Sequence, residues 1–248
     1  MASSRLPMFG AAGIAFVGVL AAVRILDQSL TRASSEAVRV VHPMPPRTSL
    51  APLPPVSESD ARIRELLRPV AGRGQSWLRH TDLLTRIVLA VANIADDACP
   101  RDPLEFAQPA RSFASATAGT STMGPRSYSR FDRFATMIAS IDAAPVAEKV
   151  RTLLPWLDAA WEQVGYREKS FRELLVAALQ RIQRAPLVEG SVPLRKRGAV
   201  YHFVDAKLEA LGPIEKHLLR MGPRNTRLLQ EKAHELEVAL AFPVAAAP

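Results

Sequence analysis

The residue types best suited to chemistry sit between positions 205 and 225: Asp205, Glu209, Arg220 and Asn225. Asp205 and Glu209 are one helical turn apart, a spacing that sets two carboxylates on one helix face, where such a pair can divide acid and base work. The same spacing suits a helix cap followed by a solvated partner, and that is the plainer reading. With Arg220 and Asn225 the acids would make a hydrolase-like site assembled from residues distant in sequence. A second group of interest is cationic. Arg195, Lys196 and Arg197 are consecutive, and Lys216, Arg220, Arg224 and Arg227 surround a glycine–proline corner. Cations there would form an anion-binding rim at a helix N-terminus, or simply a solvated face. Binding is therefore assigned to Arg195, Lys196, Arg197, Arg220 and Asn225, and no residue is assigned to catalysis.

Other chemistries lack their residues. His234-Glu235 opens a zincin pattern, but Val238 stands where the second histidine belongs. The remaining histidines are isolated and read as structural or exposed. Cys99 is the single cysteine, so neither an intrachain disulfide nor a cysteine-based zinc site can form. There is no Gly-x-Ser-x-Gly elbow and no glycine-rich phosphate loop. No metal and no cofactor is expected. The net charge of +8 invites nucleic acid as a partner. The arginines are interleaved with acids, however, without an aromatic-rich basic strand, and nucleic acid is not expected.

The elements that position these residues read as helices. Aromatics are 6% of 248 residues, and alanine, arginine and proline are abundant, which favours helices and linkers over a β-sandwich. The corner itself is Lys216–Asn225. Gly222 suits a left-handed helix stop, Pro223 the first turn of the next helix, and Arg220 the negative end of the first helix's dipole. Leu218, Leu219 and Met221 continue as an apolar stripe into Leu228, Leu229 and Leu236.

Upstream, Leu6–Val23 carries no charge and is bracketed by Arg5 and Arg24. As a helix it would be roughly 27 Å long, just short of a bilayer core. A retained anchor over 1–30 is preferred to a cleaved signal or an interfacial helix. The cation count would place the long side in the cytoplasm, whereas a short N-terminal tail before an apolar segment points to export. Export is favoured, with the domain periplasmic and the anchor in the inner membrane. Residues 31–56 are a proline-rich linker, with Pro43, Pro45, Pro46, Pro52, Pro54 and Pro55 favouring the extended polyproline form.

The helical domain is placed at 57–242, with a short tail at 243–248. Ser57-Glu58-Ser59-Asp60 suggests a capping box before Ile63, Leu66, Leu67 and Val70. Further helices are expected at Thr81–Asp96, Ser127–Ile141, from near Pro145 to Gly165 with a kink at Pro155, at Glu168–Arg184, from Asp205 to Leu211, and at Arg224–Leu240. Trp156 and Trp161 read as packing residues. Asp97–Arg126 reads as a long loop anchored by Phe106 and Phe113. Leu187–Val204 is the one non-helical stretch, a short strand pair or an extended arm.

Several of these segments together resemble the bacterial domain of unknown function 3014 family. They are Arg130-Phe131-Asp132, Leu154-Pro155-Trp156, Val164-Gly165-Tyr166, Val188-Glu189-Gly190, Tyr201–Asp205, Leu208–Leu211 and Leu218–Asn225. The resemblance runs back to Ser57 and thins out over Asp97–Arg126. It implies an N-terminal membrane anchor, a proline-rich spacer and a helical domain, and supplies no activity. The functional reading is a membrane-anchored envelope protein, an interaction or scaffold module with an envelope-protein partner. The alternatives are the hydrolase above and a binder of anionic lipid or glycan.

Overall fold

A computed structural model describes residues 53–70, 78–98, 121–165, 169–197 and 200–241. The expected membrane anchor, most of the linker and the C-terminal tail lie outside the described residues, as do Phe106 and Phe113. No helix among the described residues is long and apolar enough to cross a membrane.

The domain is mostly helical, with one small sheet. In chain order its elements are α1 (Val56–Leu67), α2 (Leu83–Ala95), β1 (Ser121–Met123), α3 (Pro125–Tyr128), α4 (Asp132–Ala139), α5 (Ala143–Gln163), α6 (Phe171–Arg184), β2 (Val192–Arg197), β3 (Val200–Phe203), α7 (Ala206–Glu209), α8 (Pro213–Met221) and α9 (Pro223–Ala239). Helix α2 is the apolar centre, with Leu83, Leu84, Ile87, Val88, Val91 and Ile94 all buried, because nearly every one of its positions is aliphatic. It packs on α1, α5 and α6, while α9 packs on α6 and against α4 and α5. Phe171, Leu174, Leu175, Ala178, Leu179 and Ile182 give α6 the helical stripe that its sequence predicts.

A second, smaller core lies under the sheet, formed by Met123, Tyr128, Val192, Leu194, Phe203 and Leu219. Strand order is β1-β2-β3, antiparallel throughout, with Leu194 opposite Ser121 on one side and Phe203 on the other. The expected strand pair is thus a hairpin. It is joined by a strand from within Asp97–Arg126, a segment whose sequence reads as a loop. Helix α8 stands between the two cores: Ile214, Leu218 and Met221 enter the larger one, and Leu219 the smaller.

Three local readings change. The helix expected over Ser127–Ile141 is broken by a 3₁₀ turn at Ser129–Phe131, whose three-residue period shifts the phase of the helix after it. Ser57 does not cap α1: the helix starts one residue earlier, at Val56, behind Pro55 and without a side-chain cap. Asp60, buried within α1, reaches instead to α2 and accepts the N–H of Asp82 (3.0 Å) and of Leu83 (2.8 Å), with Arg64 alongside at 3.3 Å. Gly222, finally, adopts φ 85°, ψ 159°, an extended positive-φ conformation and not the left-handed helical one. That region is open essentially to glycine alone.

Helix α5 runs unbroken through Pro155, and Gly165, at φ 96°, lies just past its end. Trp161 is buried and donates its indole N–H to the Lys169 carbonyl at 2.9 Å, and Trp156 packs at the edge of the larger core.

Candidate functional site

The corner between α8 and α9 is built by short, buried contacts. The Tyr128 ring covers Gly222 so closely that a Cβ there would lie 2.3 Å from a ring carbon. Asn225 is 1% exposed, and its amide nitrogen donates to the carbonyls of Tyr128 (3.1 Å) and Met221 (3.0 Å) and to Asp132 Oδ1 (2.9 Å). The hydroxyl of Thr226, also buried, donates to the Leu218 carbonyl at 2.6 Å. Asn225 therefore ties three chain segments together, using its donors on backbone and on Asp132. The outer cations of the corner are paired: Lys216 with Glu209 (3.2 Å), Arg224 with Asp132 (3.6 Å) and Arg227 with Glu189 (3.1 Å).

The acids expected to do chemistry are likewise engaged. Asp205 caps α7, accepting the N–H of Lys207 (2.7 Å) and Leu208 (3.3 Å). Glu209 accepts the Phe203 N–H on the outer edge of β3 at 2.8 Å, meets His202 Nδ1 at 3.0 Å and takes the Lys216 ammonium. Burial alone would raise its pKa, but the bonds from His202, Phe203 and Lys216 outweigh it and hold the carboxyl down to about 2. A carboxylate so firmly ionised has no proton to give at neutral pH, so it cannot serve as the general acid of a hydrolytic pair.

Beside Arg220, which the sequence does single out, stand Arg130 and His217, which it does not. The Arg130 guanidinium lies 4.7 Å over the ring of Phe131, and that of Arg220 lies 5.1 Å over the ring of Phe203. His217 stands edge-on to Phe131, with ring centroids 5.9 Å apart and planes at 83°. It is 4% exposed, and its Nε2 has no hydrogen-bond partner among the described residues. Burial, then Arg220, then Arg130 push its pKa down to about 3, so the imidazole is neutral. Burial and the neighbouring Arg220 lower Arg130 to about 10. His217 falls three residues before Arg220 on α8, and that spacing is the one sequence signal that could have joined them. Arg130 is brought in by the 3₁₀ turn, which no local pattern announces.

Arg195, Lys196 and Arg197 are elsewhere. They are exposed on the outer half of β2, opposite His202, Tyr201 and Val200. None of the three makes an ion pair or a side-chain hydrogen bond with another described residue. The structure thus gathers Glu209, Lys216 and Arg220 around α8, buries Asn225 on the side of Tyr128, and leaves the hairpin cations in solvent. Among the described residues no group of three or more His, Cys, Asp or Glu could hold a metal ion.

Four of the segments that carry the family resemblance, Arg130–Asp132, Val188–Gly190, Tyr201–Asp205 and Leu218–Asn225, meet at this corner. Tyr128 donates its hydroxyl to the Gly190 carbonyl (3.4 Å), Arg227 holds Glu189, Asn225 holds Asp132, and Arg220 covers Phe203. A family model described as "Protein of unknown function (DUF3014)" matches residues 83–237. The chain belongs to this family. The match opens with α2 and ends within α9, leaving out α1, over which the resemblance was expected to extend. Neither the curated proteins nor the solved structures hold a match to the chain.

Proposed function

We propose that the protein is a non-enzymatic interaction module of the bacterial cell envelope, presenting its basic hairpin to an acidic protein partner. One contrast supports this most. The polar groups of the 205–225 region that could act on a substrate hold backbone in place, whereas Arg195, Lys196 and Arg197 are exposed and bonded to no described residue. Of the groups that a hydrolase in the 205–225 region would enlist, Glu209 is also tuned away from neutral pH, held too acidic to donate a proton.

The apolar segment at 6–23 anchors the module in the inner membrane, and the proline-rich stretch at 31–56 holds the domain off the bilayer on the periplasmic side. This part of the proposal rests on sequence and on the build that the family resemblance implies. A tether raises the effective concentration of a partner in the same membrane to roughly the millimolar range. A handful of exposed cations is then enough for recognition, without a large apolar interface.

The test is affinity purification from crosslinked native membranes of the full chain, of the chain beginning at Ser57, and of the full chain with Arg195→Gln, Lys196→Gln and Arg197→Gln. The full chain is expected to bring down a defined partner, and the hairpin variant to lose it. Loss with the Ser57 chain alone would assign the effect to membrane placement. Absence of any partner from all three, with turnover of ester or glycoside substrates by the domain, would overturn the proposal.

A further inference from the structure

We propose that the outer face of the three-stranded sheet takes an extended acidic segment of a partner protein, with Arg195 and Arg197 gripping two carboxylates and Lys196 taking no part. The inference rests on the reading of the hairpin as a contact surface, and narrows it to one face and one kind of ligand. Strand alternation carries it. Successive side chains of a strand point to opposite faces of the sheet. Val192 and Leu194 enter the smaller core, so Lys196, two residues on, is directed to that same side, where its cross-strand neighbour Tyr201 packs against the core. Arg195 and Arg197 stand on the other face, opposite His202 and Val200. Pro193 completes the row on β2. Thr122 lies opposite it on β1, and Val204 beside it, donating its N–H to the Pro193 carbonyl at 3.1 Å. Pro193 and both arginines are exposed, and Val204 is 52% exposed. Three cations adjacent in sequence therefore serve two different faces.

The chemistry of this face selects its occupant. Arg195 and Arg197 lie two residues apart on one strand, a rise of about 7 Å. Alternate side chains of an extended partner have the same spacing, so two of its carboxylates meet the two guanidiniums in register. Each pair can take the two-oxygen geometry for which the planar fork of arginine is suited. The next residue on that side of the partner falls over Pro193 and Val204, where an apolar side chain fits. Glu209, which reaches His202, is already held by the Phe203 N–H and Lys216 and neutralises neither arginine. A second copy of the chain would bring like charge to the contact, which opposes it. An anionic lipid surface is recognised by clusters of about four to eight cations, more than the two that face outward here.

The test measures binding of the end-blocked peptide Leu-Ser-Glu-Ser-Glu to the full chain in detergent micelles, read from the amide resonances of β2 and β3. The control is Leu-Glu-Glu-Ser-Ser, which has the same charge and adjacent acids. Saturable binding of the first peptide is expected, with the second roughly threefold weaker for the loss of one ion pair. The double change Arg195→Gln, Arg197→Gln should weaken the first peptide roughly tenfold, and Lys196→Gln less than about twofold. All three positions are exposed, so the fold is expected to survive these changes. No saturable binding, equal binding of the two peptides, or equal weakening by Lys196→Gln and by the double change would each overturn the proposal. Displacement of the peptide when the micelles are doped with phosphatidylglycerol would give the face to a lipid surface, and overturn it likewise.

Partner recovery from crosslinked membranes with the same variants separates this inference from the reading beneath it. Loss with the arginine pair and retention with Lys196→Gln would support both. Equal loss with each would leave the hairpin a contact surface and remove its preference for one face. Retention by both, and by the triple variant, would remove the contact surface itself and the inference with it.

Discussion

The α8–α9 corner and the β2–β3 hairpin adjoin each other and are both rich in cations, yet they use them in opposite ways. At the corner the polar side chains are buried or paired: Asn225 on Tyr128, Met221 and Asp132, Thr226 on Leu218, Arg227 on Glu189. On the hairpin Arg195, Lys196 and Arg197 extend into solvent and brace nothing among the described residues. A polar group with unmet bonds in the interior is costly, so interior polar residues are those whose bonds the fold itself completes. Exposed cations contribute little to stability and are therefore available for a partner. The difference separates residues that make the fold from residues that face outward, a distinction composition alone does not reveal.

Breaking the corner should have the largest effect. Gly222→Ala puts a Cβ into the Tyr128 ring and forces alanine into a backbone region open essentially to glycine. We expect a loss of about 3 kcal/mol, or roughly 6–12 °C in melting temperature for a domain of this size. Adding Tyr128→Ala should recover the part due to the clash and leave the part due to the backbone. A double change that is no better than Gly222→Ala alone would show that the ring contact is not what sets the cost.

Asn225→Ala comes next. It removes one buried amide that serves three acceptors and should cost about 2 kcal/mol in urea denaturation. Both substitutions should leave the hairpin's contacts unaltered wherever the domain remains folded.

Acid sharpens the comparison. In the unfolded chain His217 takes a proton near pH 6.5, while the folded imidazole, held down by burial, Arg220 and Arg130, resists until about pH 3. The unfolded state therefore binds the extra proton across that window. This contribution to stability is full above pH 6.5 and falls with acid at up to about 1.4 kcal/mol per pH unit. Glu209, whose folded carboxyl titrates near pH 2, adds stability that is full above the ordinary carboxylate range and is lost as pH falls through it. Stability measured from pH 7 to 3 should accordingly decline in two stages, and His217→Gln should flatten the first.

Much of the fold is legible in the sequence, and the rest is hidden for a common physical reason. The stripes of α2, α5 and α6, the Gly222–Pro223 corner and the Asp205 cap depend on neighbours within one or two turns, and sequence spacing reports such contacts directly. The capping box at Ser170–Glu173 is equally local and equally open to detection. Other helix ends are closed through space. Asp60 caps α2, and Asp97 accepts the Ile214 N–H at the start of α8 (3.0 Å), where a Cβ on Gly212 would lie 1.7 Å from its carboxylate. Gln230 reaches the last carbonyls of α6, that of Ala185 at 2.7 Å. No local pattern marks a cap whose partner is dozens of residues away, and the same holds for β1, which pairs with a strand some seventy residues on.

The candidate site obeys the same rule. Arg220 and Asn225 are visible as corner residues, but their surroundings depend on Phe203, Tyr128 and Asp132, and the grouping of Arg130 with His217 exists only once the 3₁₀ turn is formed.

The central claim is that the hairpin serves contact and the corner serves folding. Its most direct test measures urea denaturation and crosslinked partner recovery side by side for the full chain, for Asn225→Ala, and for the triple change Arg195→Gln, Lys196→Gln, Arg197→Gln. The account predicts that the hairpin variant stays within about 0.5 kcal/mol of the original chain and loses its partner. The corner variant should lose about 2 kcal/mol and, under conditions where it is folded, keep the partner. A hairpin variant that unfolds early, or that recovers its partner undiminished, would contradict it.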